Sequence, residues 1–159
     1  MNKHNGFTLI EVLIAMLVLA IGLLGLAGLQ VRSLNNTQSA YYRSLATELA
    51  YDLADRMRAN NLGLSTYTTG SPAPIASCKN LNGCNSAQMA QNDLYEWNSG
   101  IITLPSGQGI VCFYSTPNDG TSLLAAMCDG VGSTYAIKIW WDDNHDGATD
   151  LRFVTSFQL

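Results

Sequence analysis

A single carboxylate lies near the start of the longest apolar run in this 159-residue sequence. The run begins after Gly6, and Glu11 is its fifth residue, counted from Phe7. A charged side chain well inside a membrane span costs about 2.5–3.5 kcal/mol, so such a residue usually has a partner. The spacing allows an ion pair, because a cut after Gly6 would free the α-amine of Phe7 one helical turn before Glu11.

Three environments for Glu11 remain open. The acid could pair with the amine of its own chain, in the first turn of a helix, where the macrodipole favours negative charge. It could instead meet the amine of a neighbouring, identically cut chain, and such a buried ion pair would set one axial register in a bundle of helices. The third alternative is a glutamate at the edge of the span that reaches the lipid headgroups.

All four cysteines follow the apolar run. Their number is even, they have no CxxC spacing and no histidine lies close by in the sequence, so disulfides are favoured over a zinc site. Disulfides predict an oxidising compartment for this part of the chain, and four buried free thiols are the alternative. Three pairings are possible, and the closure of short loops favours Cys78 with Cys84 and Cys112 with Cys128.

One segment, DDNHDGATD at residues 142–150, has the spacing of cation ligands. It matches the start of a D-x-[DN]-x-[DN]-G calcium loop, but the twelfth position, which should be a bidentate glutamate, is Phe153. We therefore expect an acidic hairpin turn and no cofactor, with weak calcium binding as the alternative. The candidate ligands are Asp142, Asn144, Asp146 and Asp150.

Composition and motifs disfavour catalysis and nucleic-acid binding. The only histidines are His4 and His145, and the sequence contains neither a phosphate-binding glycine loop with a lysine nor a metalloprotease motif. The formal net charge is −4, and lysines and arginines form no run. We predict that the chain is not an enzyme and does not contact nucleic acid directly.

One long helix must position Glu11. Residues 12–29 contain no polar side chain, and eighteen residues at about 1.5 Å each approach the thickness of a bilayer core. No small-residue cleavage site follows this run, so it is read as a membrane span and not as a secretory signal peptide. Lys3 favours a cytoplasmic start, although Arg32 on the far flank argues the other way.

The helix is expected to continue through residues 30–62, which contain no proline. An apolar stripe in this part should lie against the rest of the chain, and the charged face opposite should be solvated. The stripe contains Leu34, Tyr41, Leu45, Leu49, Leu53 and Met57, with Ala46, Ala50 and Ala54 beside it. The charged face contains Arg43, Glu48, Asp52, Asp55 and Arg56.

An α+β head is predicted for the remainder. Residues 63–77 have the composition of a surface loop, and residues 86–98 could form a helix capped by Ser86, with Ala90, Leu94 and Trp97 on one face. Three strands are expected at 109–115, 134–141 and 150–159. An antiparallel sheet packed on the amphipathic half of the long helix follows from this order.

The N-terminal residues carry a family resemblance. GFTLIE followed by an uninterrupted apolar helix resembles the processing site and N-terminal helix of type IV prepilins. AIGLLGLAGLQ and LAYDLADRMRANN are similar to the PilV-type minor pilins, and together the matches cover about the first sixty residues. The resemblance implies that a prepilin peptidase cuts after Gly6 and methylates Phe7, and that Glu11 aligns subunits during assembly. The implied division is a leader at 1–6, a membrane and assembly helix at 7–29, an amphipathic continuation at 30–62 and a head at 63–159.

The function implied by this resemblance is that of a minor pilin, a subunit that helps to initiate or decorate a type IV pilus for twitching motility, adhesion or DNA uptake. Its expected partners are major and minor pilins, the peptidase and the inner-membrane assembly machinery. Its expected location is the inner membrane, with the leader cytoplasmic and the head periplasmic, and later the pilus at the cell surface. The alternatives are a minor pseudopilin of a type II secretion system and a membrane-tethered periplasmic module whose acidic turn binds a cation.

Overall fold

A computed structural model describes residues 8–114, 119–149 and 151–158 of the chain. The chain divides into two compact units, Met1–Ala40 and Tyr41–Leu159. The fold class is α+β, with one long N-terminal helix and a three-stranded antiparallel sheet, as the sequence predicted.

The long helix, α1, spans Leu9–Ala59. It carries an acid in its first turn and basic residues in its last turn, both of which the helix macrodipole favours. The helix ends three residues before the predicted position 62, and a 3₁₀ turn, Asn61–Gly63, follows it.

The apolar stripe of α1 is buried over a shorter length than expected. Within the second unit its small and large apolar side chains form part of the hydrophobic core, whereas Leu34 is 69% exposed and Tyr41 is 61% exposed. The prediction that these two residues lie against the head is therefore wrong, because helical periodicity gives the face of a side chain but not where the core begins. The buried residues of α1 are Ala46, Ala50, Leu53, Ala54 and Met57.

The predicted surface loop at 63–77 contains regular structure. A second helix, α2, spans Leu64–Thr69, and a 3₁₀ turn covers Ala76–Lys79. Tyr67 anchors α2 because its side chain is buried in the core, and Gly70 follows the last turn. The loop prediction was wrong here, since tertiary burial of one aromatic ring outweighed a composition rich in serine and threonine.

The third helix, α3, spans Ser86–Ile101. Its N-cap is Asn85 and not the predicted Ser86, because Asn85 and Gln88 form a reciprocal capping box. The predicted apolar face is buried, and the indole of Trp97 donates a hydrogen bond of 3.1 Å to the carbonyl of Leu49 in α1. Gly100 permits this close approach, since a Cβ there would overlap the side chain of Leu49.

The sheet has the strand order β1-β2-β3, with β1 at Gln108–Tyr114, β2 at Thr134–Trp141 and β3 at Leu151–Phe157. Both pairings are antiparallel. One face of the sheet joins the core with α1, α2 and α3. The central strand is buried on both faces from Ala136 onward, which positions its one charged residue, Lys138, inside the protein.

Candidate functional site

The predicted assembly residue, Glu11, lies in the first turn of α1. Its amide donates a hydrogen bond of 3.1 Å to the carbonyl of Thr8, so the turn is already closed at this point. The side chain is exposed, and so are its large apolar neighbours Leu9, Ile10 and Val12. Gly6 and Phe7, the predicted cleavage and methylation residues, lie outside the described part of the chain.

The surface of α1 after Glu11 is apolar as far as Leu29. This part of α1 is long enough and apolar enough to cross a membrane, with a mean hydropathy of 2.8 over its best window and none of that window buried. Large apolar side chains are most stable away from water, so a lipid or protein environment has to cover them. A carboxylate in such an environment needs a cation or a hydrogen-bond donor beside it.

The four cysteines are joined in two disulfides. Cys78 pairs with Cys84 across a turn, and Cys112 of β1 pairs with Cys128, which is the pairing that local closure favours. The second disulfide ties the connection between β1 and β2 to the edge of the sheet. A further hydrogen bond of 3.1 Å, from the amide of Gly130 to the carbonyl of Phe113, ties this connection to the same strand.

The acidic segment forms a closed turn between β2 and β3. Both carboxylate oxygens of Asp142 accept backbone amides, from Asp146 at 3.2 Å and from Gly147 at 2.9 Å. Asn144 accepts the amide of Asp146, and Asp146 accepts the amide of Ala148. These contacts stabilise the turn, as expected for Asp and Asn in turns.

Among the described residues no three acidic, histidine or cysteine side chains are gathered as a metal site. Asp150, the fourth predicted ligand, lies outside that part of the chain. Calcium binding by this turn therefore stays an open prediction of the sequence.

We expect Asp142→Ala to lower the free energy of unfolding by about 1–3 kcal/mol, because two backbone donors beside a buried side chain lose their acceptor. Urea unfolding of the full-length protein in detergent micelles, followed by tryptophan fluorescence, measures this. Asp146→Ala is the matched control: its side chain is exposed and accepts one backbone amide and the side-chain amide of Asn144, so its effect should be smaller. Millimolar calcium should leave the unfolding midpoint unchanged, and an increase would identify the turn as a calcium loop.

Comparisons with known proteins agree with the geometry of the N-terminal unit. A family model described as the prokaryotic N-terminal methylation motif matches residues 1–27, and a second, described as type IV pilin Tt1218, matches residues 28–95. The two matches are adjacent and cover the exposed apolar helix, its acid and its continuation into the core. The chain is a type IV prepilin-like protein. No curated protein and no solved structure matches it significantly.

The pilin-type head contains a cluster of charged side chains that sequence reasoning did not find. Arg56 of α1 bonds Asp93 and Glu96 of α3 at 3.1 and 2.8 Å, and Asp52 at 2.9 Å. Burial alone would lower the pKa of Arg56, but the carboxylates outweigh it, and the pKa lies above its ordinary value. Arg56 was predicted to belong to a solvated face. Arg56 instead links α1 to α3, because the fold brings together two helices that are far apart in the sequence.

The cluster extends into α2 through Asp93, whose side chain is only 8% exposed. Tyr67 donates a short hydrogen bond to the second oxygen of this carboxylate. Burial and that carboxylate raise the pKa of Tyr67 above its ordinary value, so the phenol remains a donor. Asp93 therefore links all three helices of the pilin head.

Glu96 gives the pilin head an acid-sensitive contact. Hydrogen bonds from Lys79 and Arg56 lower the pKa of Glu96 from 4.5 to about 2. A depressed folded-state pKa means that the carboxylate contributes its full stabilisation above about pH 4.5, and that this contribution is lost as the pH falls toward 2.

We therefore expect Glu96→Gln to be less stable than the wild type at pH 6, and the difference to shrink as the pH falls from 5 toward 2. Urea unfolding in micelles at several pH values measures the difference. Asp55→Asn is the control, because Asp55 pairs only with Arg58 on an exposed surface and should cost little at any of these pH values. A difference for Glu96→Gln that does not change with pH would contradict the assignment.

Lys138 is a further charged residue, outside that cluster, whose role the sequence did not reveal. Its side chain is fully buried, and its ammonium group bonds the carbonyl of Ala126 at 2.7 Å and both the carbonyl and the carboxylate of Asp119. A buried ammonium is tolerated only with such partners. In the pilin head Lys138 thus holds the connection between β1 and β2 against the outer face of the sheet.

Proposed function

We propose that this chain is a minor pilin that helps to initiate or decorate a type IV pilus, most similar in role to the PilV-type subunits. The single observation that carries the proposal is the position of Glu11, a lone acid in the first turn of a helix whose apolar surface is otherwise uncovered. A helix of this kind needs neighbours, and a filament of pilin helices supplies them.

Cleavage after Gly6 would complete the site chemically. It would create a positive charge at Phe7, one helical turn from Glu11, and that charge could neutralise the acid of the same chain or of the next subunit. A contact with the next subunit is satisfied at only one axial offset, so it selects a register. We assign Glu11 this alignment role, with methylated Phe7 as the new N-terminus.

The protein is proposed to occupy two locations in turn, one before assembly and one after it. Before assembly it is a single-pass protein of the inner membrane, with the leader in the cytoplasm and the head in the periplasm. The two disulfides of the head support an oxidising compartment. After cleavage by the prepilin peptidase the subunit would leave the membrane with the assembly machinery and join major and minor pilins in a surface fibre.

Mass spectrometry of the protein from its native host tests this proposal. We expect an N-terminus at Phe7 that carries a methyl group, and no peptide from residues 1–6 in the mature protein. A Gly6→Leu variant should keep the leader, because it replaces the glycine after which the proposed cut is made. Recovery of wild-type protein that still contains residues 1–6 would contradict the proposal.

Deletion of the gene separates this function from that of a type II secretion pseudopilin. A minor pilin of the pilus should be needed for surface fibres and twitching, with export of folded proteins unchanged. Loss of protein export with normal surface fibres would instead assign the chain to the secretion system.

A further inference from the structure

A groove lies in the pilin head between α2 and the outer edge of β1. Its volume is about 420 Å³, within the range of small-molecule sites. One wall is formed by β1 residues around the Cys112–Cys128 disulfide and the other by α2, with Tyr135 of β2 also in the lining. None of the described residues that line the groove is charged, which disfavours an ionic ligand.

The α2 wall presents a row of hydroxyl groups. Ser65, Thr68 and Thr69 occupy positions i, i+3 and i+4, and therefore share one face of the helix, opposite the buried Tyr67. Thr68 and Thr69 both donate their hydroxyl hydrogen to the carbonyl of Ser65, at 3.0 and 2.8 Å. Because their donors are used, these two oxygens present lone pairs, and the ligand they suit is one that donates hydrogen bonds.

The β1 wall presents peptide groups. The carbonyl of Phe113 accepts the amide of Gly130, so the peptide groups of Phe113 point away from β2. The register of β1 and β2 has no bulge, and the N–H and C=O of Val111, two residues earlier, point the same way.

Val111 is only 4% exposed, and within the described ranges no backbone partner is found for these outward groups. Buried peptide groups almost always have a partner. The wall opposite the hydroxyls thus offers both a donor and an acceptor.

Aromatic and apolar surface completes the groove. The ring of Tyr135 meets Phe113 edge to face, with the ring centroids 5.1 Å apart, and stacks on Phe157 at 5.9 Å, so its orientation is held by both neighbours. A rigid aromatic ring next to uncharged hydroxyls and peptide groups suits a ligand with apolar C–H faces and several hydroxyls.

We propose that this groove binds a neutral saccharide. The sugar hydroxyls donate to Thr68 and Thr69 and bond the peptide groups of Val111, while a C–H face of the sugar ring lies toward Tyr135 and the disulfide. The site belongs to the head and does not use Glu11, so binding is independent of fibre formation.

Saturation-transfer difference NMR on the full-length protein in lipid nanodiscs tests this proposal, with maltose, cellobiose, lactose and diacetylchitobiose as the probes. At least one of these should bind saturably with a Kd of about 1 mM or weaker, as expected for a small ligand with few contacts. Thr69→Val, which replaces an exposed hydroxyl with a methyl group of similar size, should weaken that binding about fivefold.

Thr47→Val is the matched control, because Thr47 makes the same kind of hydroxyl-to-carbonyl bond on α1, at Arg43, outside the groove. It should leave the Kd unchanged. The proposal is overturned if none of the four disaccharides binds, or if both variants weaken binding equally. It is also overturned if the uncharged peptide Thr-Val-Thr-Val-Thr binds and the sugars do not, since the groove would then accept an added strand.

Discussion

Glu11→Ala should reduce incorporation of this subunit into fibres by at least about tenfold. The carboxylate is the one charge in the first turn of a helix whose next eighteen residues have no polar side chain. Removing it leaves the cation of a neighbouring cleaved chain without a partner in an apolar environment, and such charges are costly. Immunoblots of sheared fibres against whole cells measure the incorporated fraction.

Two further measurements would show that the defect concerns the axial register of subunits in the fibre. The variant should still reach the membrane at normal levels and still lose residues 1–6, so the defect would not be one of synthesis or cleavage. Glu48→Ala removes an exposed acid elsewhere on α1 and should be incorporated like the wild type. Normal incorporation of Glu11→Ala would show that the acid has no alignment role, and a membrane-tethered module would become the better explanation.

Asp93→Ala should lower the free energy of unfolding by about 3 kcal/mol, near the low end of the range for breaking a buried ion pair. The carboxylate accepts bonds from Arg56 of α1 and Tyr67 of α2, and both would lose a partner. The low end applies because Arg56 keeps its bonds to two other acids. For a small domain this is a large fraction of the total stability.

Asp52→Ala is the matched control for this prediction. Asp52 pairs with the same Arg56, but its side chain is 52% exposed and lies on the same helix, so its loss should cost less than about 1 kcal/mol. Tyr67→Phe removes only the hydroxyl and should cost about 1 kcal/mol. Equal effects of the Asp93 and Asp52 substitutions, measured by urea unfolding in micelles, would show that burial does not strengthen the Asp93 contact.

Much of the fold could be predicted from local sequence. The strand at Thr134–Trp141 has both predicted bounds, since β-branched and aromatic residues alternate along it and turn residues flank it. The face of α3 with Leu94 and Trp97 is buried as predicted, because helical spacing determines which side chains share a face. The predicted positions of helix termini were less accurate. The N-cap of α3 is Asn85, one residue before the predicted Ser86.

The candidate sites also differ in how far local sequence predicts them. The motif around Gly6, Phe7 and Glu11 is local, so its resemblance to a prepilin processing site is visible in the sequence, and the cleavage and alignment roles rest on that resemblance. The groove beside β1 could not be predicted, since its hydroxyl row lies in a helix that composition assigned to a loop. Its opposite wall comes from a strand about forty residues later in the chain.

Local sequence predicted the apolar helix segment with its single acid and the antiparallel strands, and it favoured the observed disulfide partners, because each depends on residues that are close along the chain. The packing of the elements was needed to show where burial of α1 begins, that Arg56 joins α1 to α3, and that Lys138 lies inside the head. Burial and ion pairing could not be predicted because they depend on which elements meet in the fold. Arg56 and Asp93 are 37 residues apart, and no periodic pattern along the chain connects them.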